Sequence, residues 1–148
     1  DGMSFKNELF QGKPQGREKL FLSHAAWSCQ RSVIWKNWIL IKTYEDGLKD
    51  FPEYMLFDRE IDPHELTNLA ESNQQVVQEG ITYLESWISE QLNRTGQDID
   101  PIEEVVKEGG AFHTRGRLNE YLKHYEGRGQ NEIVKRMKDK YSNNHCYI

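Results

Sequence analysis

The strongest constraint on the fold is the run Trp38-Ile39-Leu40-Ile41-Lys42-Thr43-Tyr44. One parity carries Trp38, Leu40, Lys42 and Tyr44, and the other carries Ile39, Ile41 and Thr43. Side chains alternate across a strand, so a strand here is largely apolar on both sides and is predicted to be central, with cover on both faces. Further β-rich runs flank it at Lys19 to Ser23, Ser32 to Trp35 and Tyr54 to Asp58. Lys36-Asn37 fits the loop of a hairpin, although it lacks the glycine favoured there. The expectation is an α+β fold with a small, mainly antiparallel sheet of four strands.

Residues 72 to 92 carry the clearest helical pattern. Val77, Ile81, Leu84, Ile88 and Leu92 recur at three- and four-residue steps, with Val76, Tyr83 and Trp87 widening the stripe. Ser72 or Asn73 is expected to cap this helix, and Gly80 to weaken its middle by about 1 kcal/mol relative to alanine. This amphipathic helix should cover one side of the sheet. Between sheet and helix, Asp62-Pro63-His64-Glu65 predicts a short, capped helical turn. After a polar break, shorter helices are expected from Asp100-Pro101 to Gly109-Gly110, from Arg117 to Tyr125 and around Ile133 to Tyr141. They form a helical C-terminal extension. The organisation is then a lead-in over 1–17, in which Ser4 caps a turn broken by Gly12 to Gly16, a sheet-and-helix unit over 18–92, and the extension over 93–148.

Composition narrows the choices. At 148 residues the chain fits one domain. An apolar fraction of 36% with a mean hydropathy of -0.84 suits a fragment with a modest core and long surface helices, or one that normally packs on a partner domain. A net charge of -5 favours neither nucleic acid nor an anionic membrane as a general partner, and no apolar run approaches a membrane span. Cys29 and Cys146 are read as free thiols. Two cysteines make no disulfide framework, so periplasmic, secreted and cytoplasmic locations all stay open.

Arg31-Ser32-Val33, Trp38, Ile41 and the continuous stretch Met55 to Ala70 resemble the C-terminal subdomain of sulfatases in the alkaline-phosphatase-like superfamily. Asp1 to Phe5 with Leu9 and Gly12 resembles the segment leading into it, and Gly109 to Gly116 an extension found in some of these enzymes. The chain departs from the pattern at Ile34, where the family usually has a basic residue, and at Trp35. The resemblance implies that the intact enzyme uses formylglycine, made within a Cys/Ser-x-Pro-x-Arg motif, and a divalent metal such as calcium. Neither cysteine here lies in such a motif and no acidic cluster matches the metal site. The chain is therefore expected to be the C-terminal part of a sulfuric-ester hydrolase, not catalytic alone. Its implied partners are an N-terminal catalytic domain, in cis or as a separate chain, and, in the intact enzyme, a sulfated small molecule or glycan. An independent interaction or carbohydrate-binding module, or part of a related phosphonate or phosphate-ester hydrolase, are the alternatives.

Four residues are candidates for a substrate pocket: His24, Arg31, His113 and Arg115. Arginine's fork of donors suits sulfate or a sugar carboxylate, and a neutral histidine donates one hydrogen bond to an ester or hydroxyl. Each has a structural reading as well, in which Arg31 pairs with a carboxylate and Thr114 caps the helix that follows. Ser23 and His24 point to opposite faces of a strand and make no catalytic pair. Asp62, His64 and Glu65 are too close in sequence to converge on one metal ion, and His113, His124 and His145 lack zinc spacing. An exposed Trp35 would mark a partner surface.

Overall fold

The computed structural model describes residues 4–12 and 16–141. Strands β1 (Lys19–His24), β2 (Cys29–Trp35), β3 (Trp38–Glu45) and β4 (Tyr54–Asp58) form one antiparallel sheet in sequence order. Lys36-Asn37 is the tight β2–β3 loop that the sequence indicates. With no glycine there, Lys36 itself takes a φ of 49°. The loop is held by the next strand connection, because the Arg59 N–H donates to the Asn37 carbonyl at 2.8 Å.

Cross-strand partners share a face, so the register sorts the sheet into two sides. Phe21, Val33, Leu40 and Leu56 lie on the near side. Leu20, Leu22, Ile34, Ile39, Ile41, Met55 and Phe57 lie on the far side. Helix α2 (Gln74–Thr95) covers the near side, where Val77 and Leu84 pack with Val33, Trp35, Leu40 and Leu56. Burying each such side chain contributes about 1.5–3 kcal/mol. Trp35 belongs to this core at 2% exposure, so it marks no partner surface.

The expectation that the Trp38–Tyr44 strand is covered on both faces is met in part: on its far side Ile39 and Thr43 are buried, as is Phe57 beside Ile39, while Ile41 is half-buried. Among the described residues, the far-side side chains join neither apolar core of the chain. Leu20 and Leu22 are exposed, and Ile34, Ile41 and Met55 are half-buried. The pattern correctly indicates two apolar faces, but this chain supplies the helix for one.

The outer edge of β4 is closed by a side chain. Asn68 accepts the Leu56 N–H on Oδ1 at 2.9 Å and donates from Nδ2 to the Tyr54 carbonyl at 3.1 Å, and the Leu69 N–H reaches the Leu56 carbonyl at 2.8 Å. The segment before it is a loop rather than the predicted helical turn. The Asp62 carboxylate does gather backbone donors, accepting from Leu66 and Thr67 at 2.8 Å each. Glu65, however, takes a φ of 54°, which a right-handed helical turn excludes. Asn73 precedes α2 without a side-chain cap bond, since its amide donates to the Leu69 carbonyl and the Ser72 hydroxyl.

After α2 come α3 (Pro101–Lys107), a 3-10 turn at Phe112–Thr114, α4 (Leu118–Gly127) and α5 (Asn131–Tyr141). A second core forms where Leu118, Leu122, Val134, Met137 and Tyr141 enclose Leu48, from the β3–β4 connection. Leu48 accepts a φ of 61° to get there. Beside it, buried Asp46 accepts from the Leu48 N–H at 2.9 Å, from Lys140 Nζ at 2.7 Å and from the Tyr141 hydroxyl. Arg136 pairs with Asp50 on the surface. The short helix α1 (Lys6–Gln11) leaves Phe5, Leu9 and Phe10 exposed. The break expected after it falls partly on residues 13–15, outside the described residues.

Gly80 is where α2 comes closest to the sheet. A Cβ there would stand 2.6 Å from Leu40 Cδ2 and 2.9 Å from Trp35 Cη2, both on fully packed side chains. Alanine would gain about 1 kcal/mol of helix propensity and lose about 1–3 kcal/mol to overpacking. Gly80→Ala is therefore expected to lower the denaturation midpoint, although alanine at an exposed position of the same helix, such as Gln78, would leave it unchanged or raise it. A more stable Gly80→Ala protein would show that the helix can lift off the sheet at no loss.

Candidate functional site

The turn between β1 and β2 places Trp27 outside the core, 61% exposed. Three contacts fix it. His24, at the end of β1, accepts the Trp27 N–H on Nε2 at 3.1 Å. The Trp27 carbonyl accepts Lys49 Nζ at 2.6 Å. Gly47, at φ 60°, lies so close that a Cβ would stand 1.9 Å from the same carbonyl oxygen. The indole then meets His113 edge-on, with ring centroids 4.6 Å apart at 69°. His24 and His113, distant in sequence, thus come together on Trp27.

Gly109 and Gly110 create the backbone path for the second histidine, with φ of 99° and 74°. The chain is tied there to the sheet by the Ala111 N–H, which donates to Glu45 Oε2 at 3.3 Å. Thr114 does not cap α4. Its buried hydroxyl donates to the Ala111 carbonyl at 2.8 Å and closes the 3-10 turn, and the residue that caps α4 is Arg117, without a side-chain bond. Arg115 folds back so that Nε and Nη2 donate to the Gly110 carbonyl at 3.2 and 2.9 Å, with its guanidinium 5.6 Å from the Phe112 ring. Phe112 is 84% exposed. The Nε2 atom of His113 is buried and has no hydrogen-bond partner among the described residues.

Arg31 is elsewhere. It lies on the near side of the sheet, 7% exposed, opposite Ser23, whereas His24 faces the far side. Its guanidinium forms a bidentate pair with Asp100, with Nη2 to Oδ1 at 2.6 Å, and donates from Nε to Ser23 Oγ at 3.1 Å. The rings of Trp87 and Tyr44 flank it at 5.6 and 5.9 Å. Asp100 is also the N-cap of α3, accepting the Ile102 N–H at 3.0 Å. Burial disfavours its charge, but the hydrogen bonds from Arg31 and Ile102 outweigh burial and hold the carboxyl below its ordinary value.

Cys29 is fully buried. Burial, with Glu45 adding to it and Arg115 opposing, pushes its thiol up to about 11. A thiol of that kind is a packing residue rather than a nucleophile. A polar cleft of 630 Å³ opens where β3, α3 and α5 meet, with Lys42, Lys107 and Lys140 set against Glu45, Asp46 and Glu53. Among the described residues no group of three or more His, Cys, Asp or Glu is placed to hold a metal ion. No helix of these residues is long and apolar enough to cross a membrane.

No family model matches the sequence, and no curated protein matches it. Solved structures do. One is the proposed sulfatase YidJ of Bacteroides fragilis, with 19% identity and a TM-score of 0.51 over 70% of this chain and 21% of that one. Another is a Bacteroides thetaiotaomicron protein described with the metabolism of multiple glycosaminoglycans, with 22% identity and a TM-score of 0.45 over 58% of this chain and 19% of that one. At such identity the first likeness shows the fold. This chain shares its fold with one part of that structure, and it spans about a fifth of the length of the structures it matches.

Two measurements follow. For Asp100, a folded value below the unfolded one stabilises the protein fully above the unfolded value and ceases to do so as pH falls through the folded value. Acid titration of stability should accordingly show a loss below about pH 4 that is much smaller in Asp100→Asn. Arg31→Ala, which strands a buried carboxylate, should cost about 3–5 kcal/mol. Equal acid sensitivity of wild type and Asp100→Asn would remove Asp100 from the account. For Cys29, a Cys146→Ser protein should resist an aromatic disulfide reagent at pH 8 until denatured. Prompt labelling would mean that Cys29 is reachable.

Proposed function

We propose that this chain is the C-terminal part of a sulfatase-like ester hydrolase, and that it completes and stabilises that enzyme without performing the chemistry itself. The observation that carries the reading is the apolar far side of the sheet. Ile34, Ile41 and Met55 are only half-buried there and lie beside the exposed Leu20 and Leu22, and burying the apolar area they leave in water on a larger domain recovers about 25 cal/mol for each Å² removed from solvent. Ile34, which stands where the resemblance calls for a basic residue, lies on this face. The likeness in fold to one part of a longer sulfatase-type structure supports the same reading.

In this role the Trp27 patch borders the substrate pocket. His24 holds the backbone of Trp27, His113 meets its exposed indole, Arg115 follows in the same turn, and the unpartnered His113 Nε2 would find its hydrogen bond in the intact enzyme. Formylglycine and the divalent metal would belong to the catalytic domain. Arg31 acts as a structural residue, because Asp100 and Ser23 already occupy its donors.

The test uses the larger protein that carries the Cys/Ser-x-Pro-x-Arg motif. The chain alone should not hydrolyse 4-nitrophenyl sulfate, and the larger protein should. In that protein the double variant Ile34→Glu/Ile41→Glu should abolish activity by detaching the two parts, while the isolated variant chain still melts cooperatively. His113→Ala should lower turnover much more than it lowers thermal stability. Activity in the isolated chain, or far-side variants that leave the larger protein untouched, would defeat the proposal.

A further inference from the structure

The two edges of the sheet are built differently. Asn68 and Leu69 occupy the hydrogen-bonding groups on the outer edge of β4. Among the described residues nothing pairs with the outer backbone edge of β1, whose main chain bonds to β2 alone. β1 carries none of the usual protections of an open edge: it has no proline, no bulge, and a single charge at Lys19. Leu20 and Leu22 stand 38% and 47% exposed on its far side.

We infer that the outer edge of β1 pairs with β1 of a second copy of this chain, antiparallel about a two-fold axis at Phe21, giving a continuous sheet of two copies. The sequence of the edge selects this occupant. For an axis perpendicular to the sheet, both near sides must coincide, so residues of like parity face one another. Centring on Phe21 then sets Leu20 opposite the partner copy's Leu22 twice, Phe21 opposite its counterpart, and Lys19 opposite Ser23. These cross-strand pairs are apolar, apart from Lys19 with Ser23, and no like charges meet. The edge is thus self-complementary in hydrogen bonding and in its apolar side chains, and it opposes no like charges. This inference concerns the backbone edge of β1, and its test is read in the isolated chain, so it does not require the docking of the far side that the proposed function invokes.

The test is the mass of the chain in solution, by sedimentation or light scattering across a range of concentrations. The expected species is twice the 17.5 kDa chain mass, dissociating on dilution. Leu20→Lys or Leu22→Glu alone should raise the dissociation constant about tenfold or more. The double variant Leu20→Lys/Leu22→Glu should restore the dimer, because this register sets a lysine against a glutamate at both positions. Both substitutions are at exposed sites, and circular dichroism of all three variants should show an unchanged fold. A monomer at every concentration would overturn the inference. So would a dimer indifferent to the single variants, or single-variant losses that the double variant does not recover, which would mean another surface or another strand, such as one from the rest of a larger protein.

Discussion

The buried pair between Arg31 and Asp100 joins the two halves of this fold. Arg31 projects from β2 beneath α2, held between Trp87 and Tyr44, and Asp100 both neutralises it and caps α3. A lone guanidinium or carboxylate at this depth would be strongly unfavourable, so sheet, covering helix and the start of the extension are ordered together. A second tie does the same from the other end. Leu48 enters the core of α4 and α5 at a positive φ, and Asp46 beside it gathers Lys140 and Tyr141. Loss of either tie would loosen the extension at that end while the other still held it.

These ties also account for the position of the Trp27 patch. The loop that delivers Leu48 to the extension presses Gly47 and Lys49 against the Trp27 carbonyl, and Glu45 in the same stretch holds the backbone before His113. The patch is therefore rigidly placed, although it lies in turns. Surface recognition benefits from such placement, because little conformational entropy remains to be lost on binding.

Much of the fold was legible in the sequence. The alternating apolar runs locate all four strands and the 3.6-residue stripe locates α2, because burial on a sheet imposes those periods directly. Details set by single contacts were not legible. Gly80 reads as a weakness in a helix, and is required by the approach of Leu40 and Trp35. Asn68 reads as a loop residue, and closes a strand edge with its amide. Asp62 does gather backbone donors, but the positive φ of Glu65 keeps the turn from being helical. At the site, the sequence picks out His24 and His113 but cannot reveal that Trp27 brings them together, since that depends on a contact between turns 86 residues apart, from Trp27 to His113. Their participation in a pocket rests on the proposed function.

The far side of the sheet carries the central claim, that this chain completes a larger hydrolase. The most direct measurement places a thiol there, as Ile41→Cys in a Cys146→Ser background, and compares its rate of maleimide labelling in the isolated chain and in the larger protein. The account predicts ready labelling in the isolated chain and strong protection in the larger protein. Equal labelling in both would show that the far side faces water in the assembled molecule, and would contradict the account.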